Sequence, residues 1–240
     1  MDLFKKILNK CLSIFNLKLV KIVDQFNNSY RLTLSLREKN INYILDVGAN
    51  EGQFVKELRF YGYKDKVVSF EPLLEAHKKL TEISKNDNDW EIFRPLALGN
   101  KNTKNIINIS KNSVSSSILN MSEEHIANAP ESRFIGKQSI EEIKLDDIFN
   151  ELKIENKNLF LKIDTQGYEF QVLEGVQKNL YLFKGILVEV SLLELYEGQK
   201  PWLEIINLIQ SHGFKLWSVD RGFTNKKNGQ TLQMDLCFFK

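Results

Sequence analysis

A glycine-containing turn directly after a short apolar run is the feature that most constrains the fold of this chain. Residues 41–47 form the apolar run, which is typical of a buried strand, and the turn follows at residues 48–52 as GANEG. Small residues at this point let a ligand approach the backbone, and a helix predicted from Gln53 would offer its free N–H groups. The turn therefore predicts a ligand site between a first strand and a first helix.

Apolar runs and helical periodicity alternate along most of the chain. We predict seven strands, with helices after the first, second, fourth and fifth; the strands lie at residues 41–47, 66–70, 90–98, 159–164, 185–190, 214–219 and 234–239. This order predicts a Rossmann-like α/β sheet with mostly parallel strands, because each helix carries the chain back over the sheet. A short connection with two glycines, residues 220–233, joins the last two strands, so we expect that pair to be antiparallel.

Two regions stand outside this pattern. Residues 1–40 form a predicted N-terminal helical appendage to the domain of residues 41–240, although residues 17–36 fit a strand or a helix equally well. We expect the basic amphipathic first helix to pack on the domain or on a second subunit of a homodimer, with peripheral contact to a membrane as the alternative. Residues 100–140 form a polar insertion that we expect to lie on the substrate side and to be mobile.

The composition argues against several classes of function. Lys and Arg number 33 against 31 Asp and Glu, a net charge of +2, so the basic excess that is typical of nucleic-acid-binding proteins is missing. The two cysteines, Cys11 and Cys237, build neither a metal-ligand spacing nor a disulfide framework, and we expect no metal. Lysines interrupt the N-terminal apolar run, so we expect no integral membrane segment and a cytoplasmic protein.

An acidic residue marks the end of the second predicted strand. Glu71 lies 19 residues beyond Gly52, where a carboxylate can accept hydrogen bonds from both hydroxyls of a ribose. A dinucleotide site would need a glycine where this chain has Asn50, and the carboxylate of Asp46 would repel a pyrophosphate. The same carboxylate is suited to an amino-acid ammonium, reached directly or through water. The turn and Glu71 together favour S-adenosylmethionine over NAD.

A second group of charged residues belongs to the fourth and fifth predicted strands. Lys162 and Asp164 point to one side of a strand that otherwise reads as buried, and Glu189 lies near the end of the next strand. Buried charges are paired or functional, and open α/β sheets bind ligands at the carboxyl ends of their strands. An alcohol loses its proton when it is methylated, so Asp164 and Glu189 are candidate catalytic residues, with Lys162 keeping Asp164 ionised. His125, in the insertion, is a further candidate base. For Lys162 with Asp164 or Glu189, the alternative is a purely structural ion pair.

Six segments carry a resemblance to a known family: DVGANEGQF (46–54), SFEP (69–72), ALG (97–99), LDD (145–147), LKIDTQGYEFQVLEG (161–175) and VEV (188–190). They resemble the FkbM-type methyltransferases, from about Ile41 to the C-terminus. The resemblance implies a class I methyltransferase fold with S-adenosylmethionine as cofactor. It also implies a set of cofactor-binding residues: Asp46, Gly48, Asn50 and Gly52 around the methionine part, Glu71 at the ribose, and Ala97 and Leu98 by the adenine. Ala49, Pro72 and Asp164 are further candidate cofactor-binding residues.

Family members are mainly O-methyltransferases, so the resemblance implies methylation of a hydroxyl on a sugar, a glycan or another small molecule. A non-catalytic or regulatory module that binds S-adenosylmethionine is one alternative, although an inactive protein has no need to retain the turn and Glu71. A protein or nucleic-acid methyltransferase is another, but we find neither a basic stripe with interleaved aromatic residues nor an N-P-P-Y-like motif. Residues 116–118 (SSI) resemble a Ser-Ser-hydrophobic motif of the family, with a flexible serine-rich loop as the other interpretation.

Overall fold

The helices and strands alternate largely as the sequence predicts. The computed structural model describes residues 2–15, 17 and 27–240. The helices are α1 (Asp2–Leu12), α2 (Asn28–Glu38), α3 (Gln53–Phe60), α4 (Leu74–Ser84), α5 (Glu123–Asn128), α6 (Leu145–Ile148), α7 (Glu169–Gly175) and α8 (Trp202–Ser211). The strands are β1 (Tyr43–Val47), β2 (Lys66–Phe70), β3 (Trp90–Ile92), β4 (Ala97–Leu98), β5 (Thr103–Ser110), β6 (Phe134–Ile143), β7 (Leu159–Ile163), β8 (Phe183–Ser191), β9 (Lys215–Arg221) and β10 (Gln233–Phe239).

Seven strands form the main sheet, in the order β3-β2-β1-β7-β8-β10-β9. The strands from β3 to β8 pair in parallel, whereas β10 is antiparallel to both β8 and β9. The predicted Rossmann-like sheet and its antiparallel last pair are therefore confirmed. The strand order changes direction between β1 and β7, and at such a point the connections diverge and leave a crevice at the carboxyl ends of the strands.

A second, smaller sheet differs from the prediction. It has the order β4-β6-β5, and the predicted third strand at residues 90–98 is divided between the two sheets. Pro95 lies between the two pieces, and proline cannot donate a hydrogen bond to a strand ladder. The insertion is also more regular than expected, because β5 and β6 pair along their length as antiparallel strands.

Apolar side chains hold helices on both faces of the main sheet. On one face, residues of α6, α7 and α8 pack against the sheet; these are Leu145, Leu173 and Ile209 among others. On the other face the corresponding residues come from α2 and α3, among them Leu36, Val55 and Leu58. Burial of these side chains on two faces is the main stabilisation of a sheet of this kind.

Helix α2 belongs to this packing although it precedes residue 41, where we place the start of the domain. Leu36 is fully buried, and the side chain of Asn27 caps the helix by accepting from the N–H of Tyr30 over 2.8 Å. The ambiguous stretch of residues 17–36 is thus helical from Asn28, whereas residues 18–26 lie outside the described part of the chain.

Helix α1 presents its apolar stripe to solvent. Phe4 is 72% and Ile7 57% exposed, so the expectation that this stripe packs on the domain is not met in the single chain. Contact with a second subunit and contact with a membrane surface stay predictions. Within the described ranges, no helix combines the length and the hydropathy that are needed to cross a bilayer.

Candidate active site

A cavity of about 380 Å³ opens at the carboxyl ends of β1, β2, β7 and β8. It lies at the change of strand order between β1 and β7, where open α/β sheets bind ligands. The predicted cofactor-binding residues that line it are Gly48, Ala49, Asn50, Glu71, Pro72, Ala97, Leu98 and Asp164. The predicted catalytic residues that line it are Lys162, Asp164 and Glu189. The structure thus brings most of the predicted site together.

The turn after β1 is fixed by Glu71. The backbone N–H of Asn50 donates to Oε2 of Glu71 and that of Leu73 donates to Oε1, each over 2.8 Å. Burial raises the pKa of Glu71 to about 7, although the two backbone donors oppose the shift. A Cβ at Gly48 would lie 1.8 Å from the carbonyl oxygen of Asp164, so glycine is needed where β1 and β7 approach each other.

One end of the cavity is apolar. Ala97 and Leu98 of β4 line it together with Leu96, and all three are buried. Ile107 of β5 and Leu73 complete this part of the wall. A slot of apolar side chains next to a single carboxylate suits a flat ring joined to a hydroxylated sugar.

The insertion closes the cavity next to the turn. Ser113 donates to Oδ1 of Asn50 over 3.3 Å, and Ser116 lines the cavity. Ser117 is buried and donates to the main-chain oxygen of Gln166 over 2.6 Å. The serine motif is therefore a hydrogen-bonded part of the wall, whereas the mobility of the insertion stays a prediction.

Lys162 lies behind the turn and is buried in an ionic group. Its Nζ lies 3.1 Å from Oδ1 of Asp46 and 3.8 Å from Oδ2 of Asp164, and it donates to the carbonyl oxygen of Gly48 over 2.9 Å. Burial lowers the pKa of Lys162, but the carboxylates of Asp46 and Asp164 outweigh burial and raise it above its usual value. Lys162 is therefore a cation that ties the turn after β1 to the end of β7.

Asp46 and Gly52 were predicted to touch the cofactor, but neither lines the cavity. Asp46 is fully buried. Its Oδ2 accepts a hydrogen bond from Ser69 over 2.9 Å, and its Oδ1 forms an ion pair with Lys162. A Cβ at Gly52 would lie 2.5 Å from the ring of Trp90, so this glycine permits close packing at the start of α3. Both residues support the turn from behind.

His125 is also placed outside the cavity. It is buried in α5, and its ring packs against the rings of Tyr196 and Phe223 with centroids 5.1 and 5.6 Å apart. A lone histidine in a polar segment is usually solvated, but apolar packing keeps water away from His125. Burial lowers the pKa of His125 to about 4. His125 is thus neither solvated nor adjacent to the other candidate catalytic residues.

Gln166 holds two candidate catalytic carboxylates in place, a role that no pattern in the sequence indicated. Its Nε2 donates to Oδ1 of Asp164 over 2.8 Å and to Oε2 of Glu189 over 2.6 Å, while its Oε1 accepts from the hydroxyl of Tyr196 over 2.7 Å. Gln166 adopts the left-handed conformation, with φ at 54°. The buried carboxylate of Glu169 supports this conformation by accepting from the N–H groups on either side, those of Thr165 and Gly167.

Asp220 and Asp235 extend the acidic lining of the cavity, and we did not predict them. Asp235 of β10 is the register partner of Glu189 on β8 and of Asp220 on β9, so the three side chains stand on one face. Burial is the largest cause that raises the pKa of Glu189, and neighbouring carboxylates add to it. Burial also raises the pKa of Asp235, to about 6. The single charged residue in the apolar run MDLCFF is the sequence signal that could have indicated Asp235.

A comparison with protein families identifies the chain. The sequence profile of the Methyltransferase FkbM domain matches residues 46–216, which is more than half of the chain. The chain belongs to the FkbM methyltransferase family. The matched segment contains the turn after β1, Glu71 and the charged residues of β7 and β8, but it begins after α2.

Individual proteins similar to this FkbM methyltransferase include a curated enzyme and solved structures. The 2-O-methyltransferase NoeI of Sinorhizobium fredii is 29% identical over 188 residues, which cover 76% of each chain. An rRNA methylase from Streptococcus thermophilus is 12% identical and covers 92% of this chain and 99% of its own, with a TM-score of 0.48. Fibrillarin from Aeropyrum pernix, solved with S-adenosyl-L-methionine, is 10% identical and covers 88% of this chain and 76% of its own, with a TM-score of 0.45.

S-adenosylmethionine is the cofactor of this FkbM methyltransferase, as the sequence predicts. The cavity fits its three parts. The glycine at residue 48 leaves the backbone of the turn open to a ligand, and the buried carboxylate of Glu71 offers hydrogen-bond acceptors to the cavity. The apolar slot beside Ala97 and Leu98 has the character that an adenine ring requires.

Proposed function

We propose that the chain transfers the methyl group of S-adenosylmethionine to a hydroxyl group of a sugar, a glycan or another small molecule. The observation that carries the proposal is the pair Asp164 and Glu189, held by one donor, Gln166, at the edge of the cofactor cavity. The similarity to a 2-O-methyltransferase supports it.

The cofactor-binding residues follow from the shape of the cavity. We assign the methionine part to the turn of Gly48, Ala49 and Asn50, with Asp164 on the opposite side. The ribose is assigned to Glu71 beside Pro72, and the adenine to the slot at residues 97–98. In this placement Asp164 and Glu189 would be the residues beside the reacting methyl group, since both line the cavity next to the turn.

When bound, S-adenosylmethionine supplies a methyl group that is activated by a positively charged sulfur. The chain has to orient the hydroxyl in line with that methyl group and to accept its proton. Asp164 is placed to orient the hydroxyl. Glu189 is the better proton acceptor, because its raised pKa makes the ionised form more basic than an ordinary carboxylate. The expected products are a methyl ether, S-adenosylhomocysteine and one proton.

The test compares Glu189→Gln with Glu82→Gln, a matched change of an exposed residue on α4. Loss of a general base should lower turnover about 10² to 10⁴-fold. Glu189→Gln should therefore lose most turnover but bind the cofactor normally by calorimetry, whereas Glu82→Gln should behave as wild type. Wild-type turnover by Glu189→Gln, or a product whose NMR spectrum lacks an O-methyl signal, contradicts the proposal.

Our expectations that the protein is cytoplasmic, that it does not act on nucleic acid and that it forms a homodimer stay predictions. They do not affect the chemistry that we propose at Asp164 and Glu189.

A further inference from the structure

The cavity continues beyond the part assigned to the cofactor. Its far wall is formed by α2, which contributes Asn28, Ser29 and Leu32, and by Glu57 of α3. The opposite wall is the edge of the main sheet from β8 to β9. An acceptor has to lie next to the transferred methyl group, so the space between these two walls is the part of the cavity that is open to it.

Four carboxylates follow one another along the sheet side of this space. Asp164 follows β7, Glu189 lies on β8, Asp235 on β10 and Asp220 on β9, and all four line the cavity. Cross-strand pairing places Asp235 directly opposite both Glu189 and Asp220. Like charges directly opposite each other in neighbouring strands destabilise a sheet. A cation or a set of N–H donors beside the row would offset this repulsion.

Cations of the protein compensate the two ends of the row. Arg31 of α2 forms an ion pair with Asp220. Lys162 lies near Asp164, but its Nζ is closer to the buried carboxylate of Asp46, at 3.1 Å against 3.8 Å. One cation thus serves two carboxylates at that end.

The middle of the row has no such partner. Glu189 receives only neutral amide donors, Gln166 over 2.6 Å and Gln233 over 2.8 Å, and both contact the same oxygen, Oε2. The side chain of Asp235 makes no hydrogen bond and no ion pair with any residue in the described part of the chain. Burial is the largest cause of the raised pKa values of Glu189 and Asp235, the carboxylate of Asp164 adds to it, and Lys162 opposes the shift only in part.

The geometry does not favour a metal ion as the missing cation. Among the described residues, no three or more His, Cys, Asp or Glu side chains converge on a point that could hold one. A row of carboxylates spread across neighbouring strands fits a more extended partner, with N–H and O–H donors at several positions.

We propose that this end of the cavity binds an acceptor that carries a protonated amino group close to the hydroxyl to be methylated, with the amino group between Asp235 and Glu189. An acceptor with a carboxylate, sulfate or phosphate in that position is repelled by the row. The inference rests on the proposed function, because the row faces an acceptor only if the methyl group is transferred beside it.

The test measures methyl transfer to matched sugars by the full-length protein. The probes are aminodeoxy glucoses with the amine at carbon 2, 3, 4 or 6, together with glucose and glucuronic acid. One amine isomer should have a kcat/KM at least about tenfold above that of glucose, the effect of one charge-assisted hydrogen bond, and glucuronic acid should be the poorest probe.

Asp235→Asn removes one charge of the row and keeps the size of the side chain. It should reduce the preference for the amine to less than about threefold and leave the affinity for S-adenosylhomocysteine unchanged. Glu91→Gln is the control, because it makes the same change of charge at an exposed position of β3, at the opposite edge of the sheet. This control should keep the full preference.

The outcomes separate this inference from the proposed function. If glucose or glucuronic acid is methylated as well as the amine isomers or better, the inference is wrong but methylation of a hydroxyl stands. An undiminished preference for the amine in Asp235→Asn has the same meaning. Absence of turnover with every amine isomer also overturns it. Transfer of the methyl group to the nitrogen, visible by NMR as an N-methyl product, instead contradicts the proposed O-methylation.

Discussion

Lys162 of β7 and Asp46 of β1 are register partners on neighbouring central strands, and Nζ of Lys162 lies 3.1 Å from Oδ1 of Asp46. Both side chains are buried. The pair therefore links the two strands whose carboxyl ends form the centre of the cavity. Asp46 thus positions Lys162 and the turn, and it does not itself line the cavity in which we expected it to lie around the methionine part.

Lys162→Met should destabilise the protein strongly, because it leaves the buried carboxylate of Asp46 without its cation. Removal of one partner of a buried ion pair typically costs about 3 to 5 kcal/mol. The double variant Lys162→Met/Asp46→Leu should recover much of this loss, since no unpaired charge remains. Urea unfolding of the three proteins measures the effect, and equal stability of the two variants would show that the ion pair does not hold the strands.

The affinity for S-adenosylmethionine should rise with pH around neutrality. Burial raises the pKa of Glu71 to about 7, and in the proposed binding mode the ionised carboxylate would accept hydrogen bonds from both ribose hydroxyls. As pH increases from 6 to 8, Glu71 loses its proton and binding should tighten about three- to tenfold. Calorimetry at these pH values should show the same trend in Glu91→Gln and a flat profile in Glu71→Gln; a pH-dependent Glu71→Gln would assign the titration to another group.

Gln166→Leu should lower turnover more than it lowers cofactor affinity. The change removes the donor shared by Asp164 and Glu189 and leaves the hydroxyl of Tyr196 without its acceptor. Misplaced catalytic groups commonly reduce rates about 10²-fold. The matched control is Gln210→Leu, an exposed position on α8, which should retain wild-type kinetics. A Gln166→Leu variant with normal kcat would mean that the two carboxylates keep their positions without the shared donor.

His125→Phe should keep turnover and make the protein more resistant to acid. The pKa of His125 is about 4 in the folded chain against an ordinary value of 6.5, so between these pH values the unfolded chain binds a proton that the folded chain does not. Wild-type stability is therefore lost as pH falls through this window, by about 2 to 3 kcal/mol from this residue. Urea unfolding at pH 7 and pH 4.5 should show a smaller loss in His125→Phe. A large loss of turnover at pH 7 would restore His125 as a candidate base.

The main sheet was predictable because its strands are buried on both faces and read as apolar runs that stop at turns. The small sheet was not, since β5 alternates weakly and is largely exposed at its start. In the same way, the turn and Glu71 carry local signals in the sequence. The row formed by Asp235 and Asp220 depends on the register between β8, β10 and β9, and register is a property of pairing that no single strand reveals.

The role of Gln166 was hidden for a related reason. Its neighbours Asp164 and Glu169 stand in a recognisable motif, but the contact with Glu189 spans 23 residues and the contact with Tyr196 spans 30. Gln166 makes both contacts from a left-handed backbone conformation, which few non-glycine residues adopt. Local patterns therefore located the carboxylates but not the residue that connects them.

Helix α2 reaches the cavity from outside the segment that the family shares. The lining of one cavity is consequently encoded by different stretches of the chain, one inside the matched segment and one before residue 39. If the acceptor binds beside α2 as proposed, the choice of acceptor can diverge independently of the chemistry. Exchange of the N-terminal stretch between family members would then change the acceptor specificity and keep the methyl-transfer residues.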